Sequence, residues 1–365
     1  MAEINLKRFV DINIQSKVSR AVSGTRNIVV LYTPEGTAGT TRIVSSLTEA
    51  ESVYTSSTKY QETLKYLRVF FNNGGVKCYV VEGKDPSSIT TDDIKALPNE
   101  YIIVGCVKGS SEEIDTVYSK LKSLATTLAA DSSVYGINEK ILLARTVTNS
   151  DEASVKNFGV KYSKVVGAEM TMAAYLSQIN VYKQDTVKDY SFTQEAISAE
   201  TLDDETFGTI IENNMNVDIT LVDAVRNIGG NLKDGSELTN SFVKIVLHQT
   251  LTERLTQLLV QKIKNSSGIS QIYSIIAQEL EFYKTAGYIT LDKVWNSADL
   301  DVNYNGDTYT IVQQGTALIN GYIIKVLPIS SLTEADKAAH KAPPIYVVIA
   351  DQYGIRQITI NGEVI

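Results

Sequence analysis

The strongest constraint in this sequence is a repeated switch of hydrophobic period. From Ile28 to residue 225, short apolar runs alternate with segments whose apolar residues recur every three or four positions. The runs at 28–32, 77–81, 101–107, 141–147, 161–166 and 217–222 have the length and β-branched content of buried strands. Between them, the clearest helical pattern sets Ile114, Val117, Tyr118, Leu121, Leu124 and Leu128 on one face. A second, over 58–71, stops at Asn72-Asn73-Gly74-Gly75, residues suited to a left-handed helix exit. Such alternation predicts a mostly parallel sheet flanked by helices, with right-handed crossovers.

Beyond residue 225 the pattern changes. A polar, glycine-rich crossing (Gly229-Gly230-Asn231 to Gly235) leads to two long helices. The first, 241–264, carries Phe242, Ile245, Val246, Leu251, Leu255, Leu258, Leu259 and Ile263, an arc broad enough to need cover on more than one side. Asn265-Ser266-Ser267-Gly268 is expected to end it. In the second, Ile269, Ile272, Tyr273, Ile276, Leu280 and Tyr283 form a narrower stripe that stops before Gly287, so the pair reads as a helical hairpin.

The tail is β-rich. Asn305-Gly306 and Asn320-Gly321 each predict a hairpin turn. A short helix over 334–341 is stopped by Pro343-Pro344, and strands follow at 345–349 and 355–360. At the other end Val10, Ile12 and Ile14 alternate with Asp11, Asn13 and Gln15, the period of a half-buried strand. A polar stretch, 16–27, separates that strand from the first core strand, so it needs a sheet edge to join. The expected fold class is α/β (α+β overall). A mostly parallel sheet flanked by helices is joined to a second domain of two long helices and β-hairpins, with strand-bearing terminal arms. The divisions are an arm at 1–27, an α/β domain at 28–225, a helical-hairpin and β-rich domain at 226–344, and an arm at 345–365. A length of 365 residues, long for a single core, agrees with this partition.

Residues that do chemistry are scarce. Two histidines exclude a histidine-rich metal centre, and two cysteines cannot form a disulfide scaffold and suit a reducing compartment. Cys78 and Cys106 each fall within a strand-like run and read as small buried hydrophobes. Gly36-Thr37-Ala38-Gly39-Thr40-Thr41 follows the first strand, where a phosphate loop belongs, but lacks the Gly-Lys-Ser/Thr ending and reads as a surface loop. Asp301 to Asp307 matches the opening of an EF-hand loop, yet its twelfth position is Val312, and Asn305-Gly306 explains the same residues as a hairpin. His248 lies on the apolar arc of its helix as a core histidine, and His340 reads as surface. Asp203-Asp204-Glu205 reads as a solvated loop or helix start. No catalytic, cofactor-binding or metal site is expected.

The net charge of −8 is uneven. Residues 185–240 hold twelve acidic and three basic side chains, whereas the first 26 residues hold five basic and two acidic ones. These patches read either as solvated faces or as complementary surfaces that meet between copies. No basic stripe is large enough for a run of phosphates, so nucleic-acid binding is not expected. No apolar run reaches bilayer-spanning length, and the amino terminus has no signal-type stretch. Twenty tyrosines against eight phenylalanines suit amphipathic contact surfaces.

Near the carboxy end, Ala335-Asp336-Lys337-Ala338-Ala339-His340-Lys341-Ala342-Pro343-Pro344-Ile345 closely resembles a segment of the tail sheath proteins of contractile-tailed bacteriophages. In that family an Ala-Asp-Lys/Arg-Ala-Ala stretch runs into Lys-Ala-Pro-Pro-Ile and a terminal strand. His340 departs from the family, where arginine is more usual. The order of α/β core, glycine-rich crossing, two long helices and β tail is also sheath-like.

The resemblance implies a structural subunit, without catalysis or cofactor, that polymerises helically with copies of itself. It implies that Val10, Ile12 and Ile14, and likewise Ile355, Ile358 and Ile360, are strands donated to neighbours. Phe242, Leu255, Leu259, Ile272, Ile276 and Leu280 would lie on tube-facing or assembly helices, and the α/β domain would lie outward. Implied partners are the tail tube protein and the baseplate and tail terminator proteins, with no nucleic acid and no direct membrane insertion. The implied location is the virion tail, after assembly in the host cytoplasm. A bacteriocin-like or other contractile injection particle is the alternative within the family. An α/β enzyme with a helical second domain is the alternative outside it, and a pocket of convergent polar groups would distinguish it.

Overall fold

A computed structural model describes residues 28–54, 61–97, 101–106, 114–130, 140–184, 187–260, 265–339 and 341–351. Eight strands form the principal sheet: β1 (Ile28–Tyr32), β2 (Thr41–Val44), β3 (Cys78–Val81), β4 (Tyr101–Cys106), β5 (Ile141–Thr146), β6 (Phe158–Tyr162), β7 (Asn216–Leu221) and β8 (Ala224–Ile228). Their order is β2-β3-β1-β4-β5-β6-β7-β8. The six inner strands run parallel, and an antiparallel strand closes each edge, β2 on β3 and β8 on β7.

A parallel sheet has to be covered on both faces, because each crossover lays a helix on one of them. The strand alternation divides the side chains accordingly. Val30, Tyr32, Leu142, Ala144, Val160 and Val217 face one core with residues of α4 (Ile114–Ala130) and α6 (Asp204–Glu212). Val29, Leu31, Cys78, Val80 and Leu143 face the other, beneath α1 (Leu47–Tyr54), α2 (Gln61–Asn72) and α5 (Met170–Gln178). A short helix, α3 (Thr91–Lys95), begins with a capping box between Thr90 and Asp93.

The second core does not end at the sheet. Helices α7 (Leu238–Val260) and α8 (Asn265–Thr285) add Phe242, Val243, Leu247, Ile276 and Leu280 to the same apolar cluster. The helical hairpin is therefore fused to the α/β body rather than cored separately. Asn265-Ser266-Ser267 opens α8 instead of closing α7; asparagine and serine are as well suited to a helix start as to a stop.

After α8 come β9 (Lys293–Val294), β10 (Leu300–Tyr304), β11 (Asp307–Val312), β12 (Ala317–Leu318), β13 (Tyr322–Val326), α9 (Glu334–Ala338) and β14 (Ile345–Ile349). β10 and β11 form the hairpin expected at Asn305-Gly306, both at positive φ (52° and 91°). The calcium-like residues are used across it: Thr310 donates to Asp301 Oδ1 at 2.6 Å and Thr308 to Asn303 Oδ1 at 2.8 Å.

Three sequence expectations need correction. Strand β6 is 158–162 rather than 161–166, which puts Lys161 inside a strand. Asn320-Gly321 joins no hairpin, since β12 pairs with β9 and β13 pairs with β14. Gly321 instead permits a close approach: at φ 75° a Cβ there would stand 2.3 Å from Ile289 Cγ2 and 2.4 Å from Thr290 O. Its carbonyl accepts from Ala350 N at 2.7 Å, which fixes the residue after β14 to the body. Finally, 345–349 pairs antiparallel with β13 inside this chain, from Tyr322↔Ile349 to Val326↔Ile345, so it is not part of a free arm.

Gly321→Ala should lower the unfolding free energy by about 2–3 kcal/mol, through strain and clash together. Urea denaturation of the purified chain measures it, and a change near zero would contradict the close approach.

Candidate functional site

The most concentrated chemistry lies on the α5 side of strands β6 and β7. Val160, Tyr162 and Val217 point into the first core, so Lys161, Asn216 and Asp218 point the other way. Lys161 Nζ, fully buried, is 2.7 Å from Asp218 Oδ1, 2.9 Å from Glu195 Oε2, 3.0 Å from Asn227 Oδ1 and 3.2 Å from Tyr190 OH. Tyr190 OH donates to Glu195 Oε1, and Thr171 Oγ1 lies 3.0 Å from the same hydroxyl. Glu195 is delivered by the segment before it, which lies along the outer edge of β8 through Glu195 N to Val225 O at 3.0 Å.

The electrostatics follow from one cation facing two carboxylates away from water. Burial, reinforced by the neighbouring Glu195 carboxylate, pushes Asp218 up to about 8 against the pull of Lys161. At Glu195 burial acts in the same direction, but the Lys161 ammonium and hydrogen bonds from Asp218 and Tyr190 outweigh it and hold the group low. Lys161 is raised, because its two carboxylates overcome burial. Around neutral pH the carboxylate pair therefore retains one proton.

This changes the reading of the acidic segment. Glu195, Glu200 and Asp218 are interior, with Glu200 Oε1 accepting from Ser163 Oγ at 2.9 Å and Lys164 N at 2.7 Å. Asp203 caps α6 by accepting from Thr206 N, with Asp204 and Glu205 in the first turn, the helix start expected there. Tyrosine is also used inward: Tyr54, Tyr66, Tyr190, Tyr283 and Tyr288 are among the largest fully buried side chains.

In open parallel sheets a ligand binds beyond the strand ends where the order reverses, here at β1 between β3 and β4. At that end Thr33 and Thr63 hydroxyls share a 2.7 Å hydrogen bond, and Glu35 Oε2 accepts from Thr63 N at 2.9 Å. The loop at 36–41 is held by buried Glu82, which takes Thr37 N at 3.0 Å and Arg42 Nε at 2.5 Å. A carboxylate of the chain itself thus occupies the amide donor that a phosphate would use. Among the described residues, no group of three or more His, Cys, Asp or Glu is placed to hold a metal. No described helix is long and apolar enough to cross a membrane. Cys78 is fully buried, and burial pushes its thiol far up. His248 is half-buried on α7.

The helical hairpin and the last sheet form one body. Arg254 of α7 reaches Glu279 of α8 at 2.6 Å, and Tyr182 OH donates to the other Glu279 oxygen at 3.4 Å. Burial raises Glu279 despite Arg254. Tyr322 of β13 donates to Glu281 of α8 at 2.8 Å, while Val347 and Ile349 of β14 enter the second core. Lys244, buried on α7, pairs with Asp351 at 3.2 Å, and Ile289 bridges Asp351 through the backbone. The last described residue is therefore fastened on two sides.

Phe242, Leu255, Ile272, Ile276 and Leu280 all lie inside this body. Their side chains pack within the subunit, in the same apolar cluster as residues of α5, α8 and the sheet. Among the described residues α8 exposes Ser270, Gln271, Tyr273, Ser274, Gln278 and Thr285, and Tyr273, read as part of its apolar stripe, is 45% exposed. The Leu259 side chain, Cys106 side chain and His340 lie outside the described residues, as do Val10, Ile12, Ile14, Ile355, Ile358 and Ile360. Sequence reasoning missed the Lys161 cluster; its only signal was a lysine flanked on both sides by strand-forming residues.

No protein-family model matches the sequence, and no curated protein matches it significantly. Solved structures do match the fold. The helical sheath of the anti-feeding prophage (AFP), in its contracted state, has a TM-score of 0.63 at 13% identity, covering 97% of this chain and 98% of that one. The contracted sheath complex of PVC, an extracellular contractile injection system, gives 0.62 at 11% identity, covering 97% and 96%. A sheath tail protein from Listeria innocua gives 0.52 at 9%, covering 78% and 90%. The fold is that of contractile sheath proteins. It corresponds to the AFP and PVC sheath chains over nearly their whole length.

Lys161→Met leaves two carboxylates buried without their cation, so stability should fall by about 3–5 kcal/mol. Denaturant titration followed by far-UV circular dichroism reads this directly. A loss below about 1 kcal/mol, the range of exposed pairs, would contradict the cluster's buried character.

Proposed function

We propose that this chain is the structural subunit of a contractile sheath and that its work is mechanical. The observation that carries this reading is the near end-to-end correspondence with the contracted AFP and PVC sheaths. The subunit polymerises helically around a tail tube and contracts by rigid-body rearrangement, driving the tube through a target envelope. Its partners are further copies of itself, the tube protein, and baseplate and terminator proteins. It works in the tail of a phage-like or injection particle after assembly in the producing cell.

The fold supplies a suitable acceptor. β13 and β14 form a two-stranded ladder, and each is paired on one side only among the described residues. Two-stranded ladders are marginal alone, and added strands gain main-chain hydrogen bonds while alternate side chains set register. Val10, Ile12 and Ile14 of one neighbour, and Ile355, Ile358 and Ile360 of another, have the required alternation. Such contacts are heterologous and do not close, so they build a helix. The outward surface is then the α/β body.

Removing residues 1–20 or 352–365 should leave a folded subunit that makes no tubes. Negative-stain microscopy with circular dichroism checks both statements together. Tubes formed as well by both truncated chains as by the full chain would overturn the strand-exchange reading.

A further inference from the structure

The geometry points to a covalent cross-link within the α/β body: an isopeptide bond between Lys161 Nζ and Asp218 Cγ, formed by the folded chain itself, with Glu195 as proton carrier. Nothing in this inference depends on the sheath reading.

Three observations converge on it. First, the reactants are fixed by the sheet. Lys161 pairs with Asn216 across the β6–β7 seam, so Asp218 is its diagonal neighbour on the same face, 2.7 Å from Nζ. Amide formation is slow between free groups, and fixing both partners in contact removes most of the entropic part of that barrier. Second, a proton carrier touches both. Glu195 lies 2.9 Å from Nζ and is hydrogen-bonded to the Asp218 carboxyl. Third, the site is closed, with Lys161 and Asp218 fully buried and Glu195 nearly so. Burial keeps out the water that would compete for the acyl carbon.

The protonation of Asp218 fits the chemistry, whereas the stabilised Lys161 ammonium makes its deprotonation the slow step. An amine attacks a neutral carboxylic acid, not a carboxylate, and Asp218 is the group that burial keeps protonated around neutral pH. Glu195, held ionised, takes a proton from the Lys161 ammonium. The freed Nζ lone pair then forms the Nζ–Cγ bond. As the intermediate collapses, Glu195 returns that proton to the Asp218 hydroxyl, the Cγ–O bond breaks and the hydroxyl leaves as water, carrying both that proton and the one Asp218 first held; the second Nζ proton, lost from the new amide, passes to Glu195 and then to solvent as the one proton released. No atom is oxidised or reduced. Asn227 Oδ1, 3.0 Å from Nζ, and Tyr190 OH orient the nitrogen.

A cluster serving only as a static ion pair accounts poorly for two details. Asn227 Nδ2 is buried without a hydrogen-bond partner, although unsatisfied polar atoms are costly. The seam itself is thinly paired, with two register positions between β6 and β7, as between β4 and β5, against five between β5 and β6. A covalent tie across that seam would hold β7 and β8 to the sheet under load.

Intact mass spectrometry of the purified full chain, fully denatured, decides the question. The expected mass is that of the sequence less one water, with a branched peptide joining the Lys161 and Asp218 fragments after digestion. Asp218→Ala should restore the full mass, and Glu195→Gln should slow or abolish the loss while circular dichroism reports an unchanged fold. A full-length mass with Lys161 and Asp218 in separate peptides, or a water loss mapping elsewhere, would overturn the cross-link and leave an ordinary buried ion cluster. A cross-link formed equally fast in Glu195→Gln would overturn the role of Glu195.

Discussion

Burial of both faces of the eight-stranded sheet governs the rest of the molecule. The parallel crossovers place α4 and α6 on one face and α1, α2 and α5 on the other, but the second face carries more apolar surface than those three helices close. Phe242, Val243 and Leu247 of α7 complete it, and α8 then covers α7. The long helices are thus committed inward. The hairpin and the β13–β14 ladder are thereby joined to the α/β body through one continuous core.

That commitment explains which parts of the fold were legible in the sequence. Six of the eight sheet strands and the long helices stand out because period and burial agree along them. Edge strand β2 was missed: at Thr41–Val44 only Val44 is buried, so it carries no run of apolar residues. Edge strand β8 was missed for a related reason, since Ala224–Ile228 is half-exposed with Arg226 and Asn227 in its middle. The displaced β6 has a different cause. A lysine in a strand centre is disfavoured unless partners meet it, and those partners, Glu195, Asp218 and Asn227, lie 34, 57 and 66 residues away. Asn320-Gly321 shows the same limit. Its glycine answers a contact with Ile289 and Thr290 that local turn chemistry does not announce.

The functional residues divide along the same line. A resemblance carried by 335–345 led to the sheath family, and the fold agrees with it. Phe242, Leu255, Ile272, Ile276 and Leu280, expected on assembly helices, are apolar, which is the property that buries them in the subunit; apart from Tyr273, the exposed described residues of α8 are polar and carry no periodic signal. The proposed strand exchange would use the last sheet, where β13 and β14 are each paired on one side among the described residues and Lys244, Ile289 and Gly321 fasten residues 350–351 in place.

The central claim is that the β13–β14 ladder is completed by other copies. Cryo-electron microscopy of tubes assembled from the full-length chain tests it most directly, because main-chain density shows which residues lie beside each strand. The account predicts the alternating segments around Ile12 and Ile358 of neighbouring copies hydrogen-bonded to the ladder's outer edges. A tube in which those edges stay unpaired, with subunits joined through other surfaces, would contradict it.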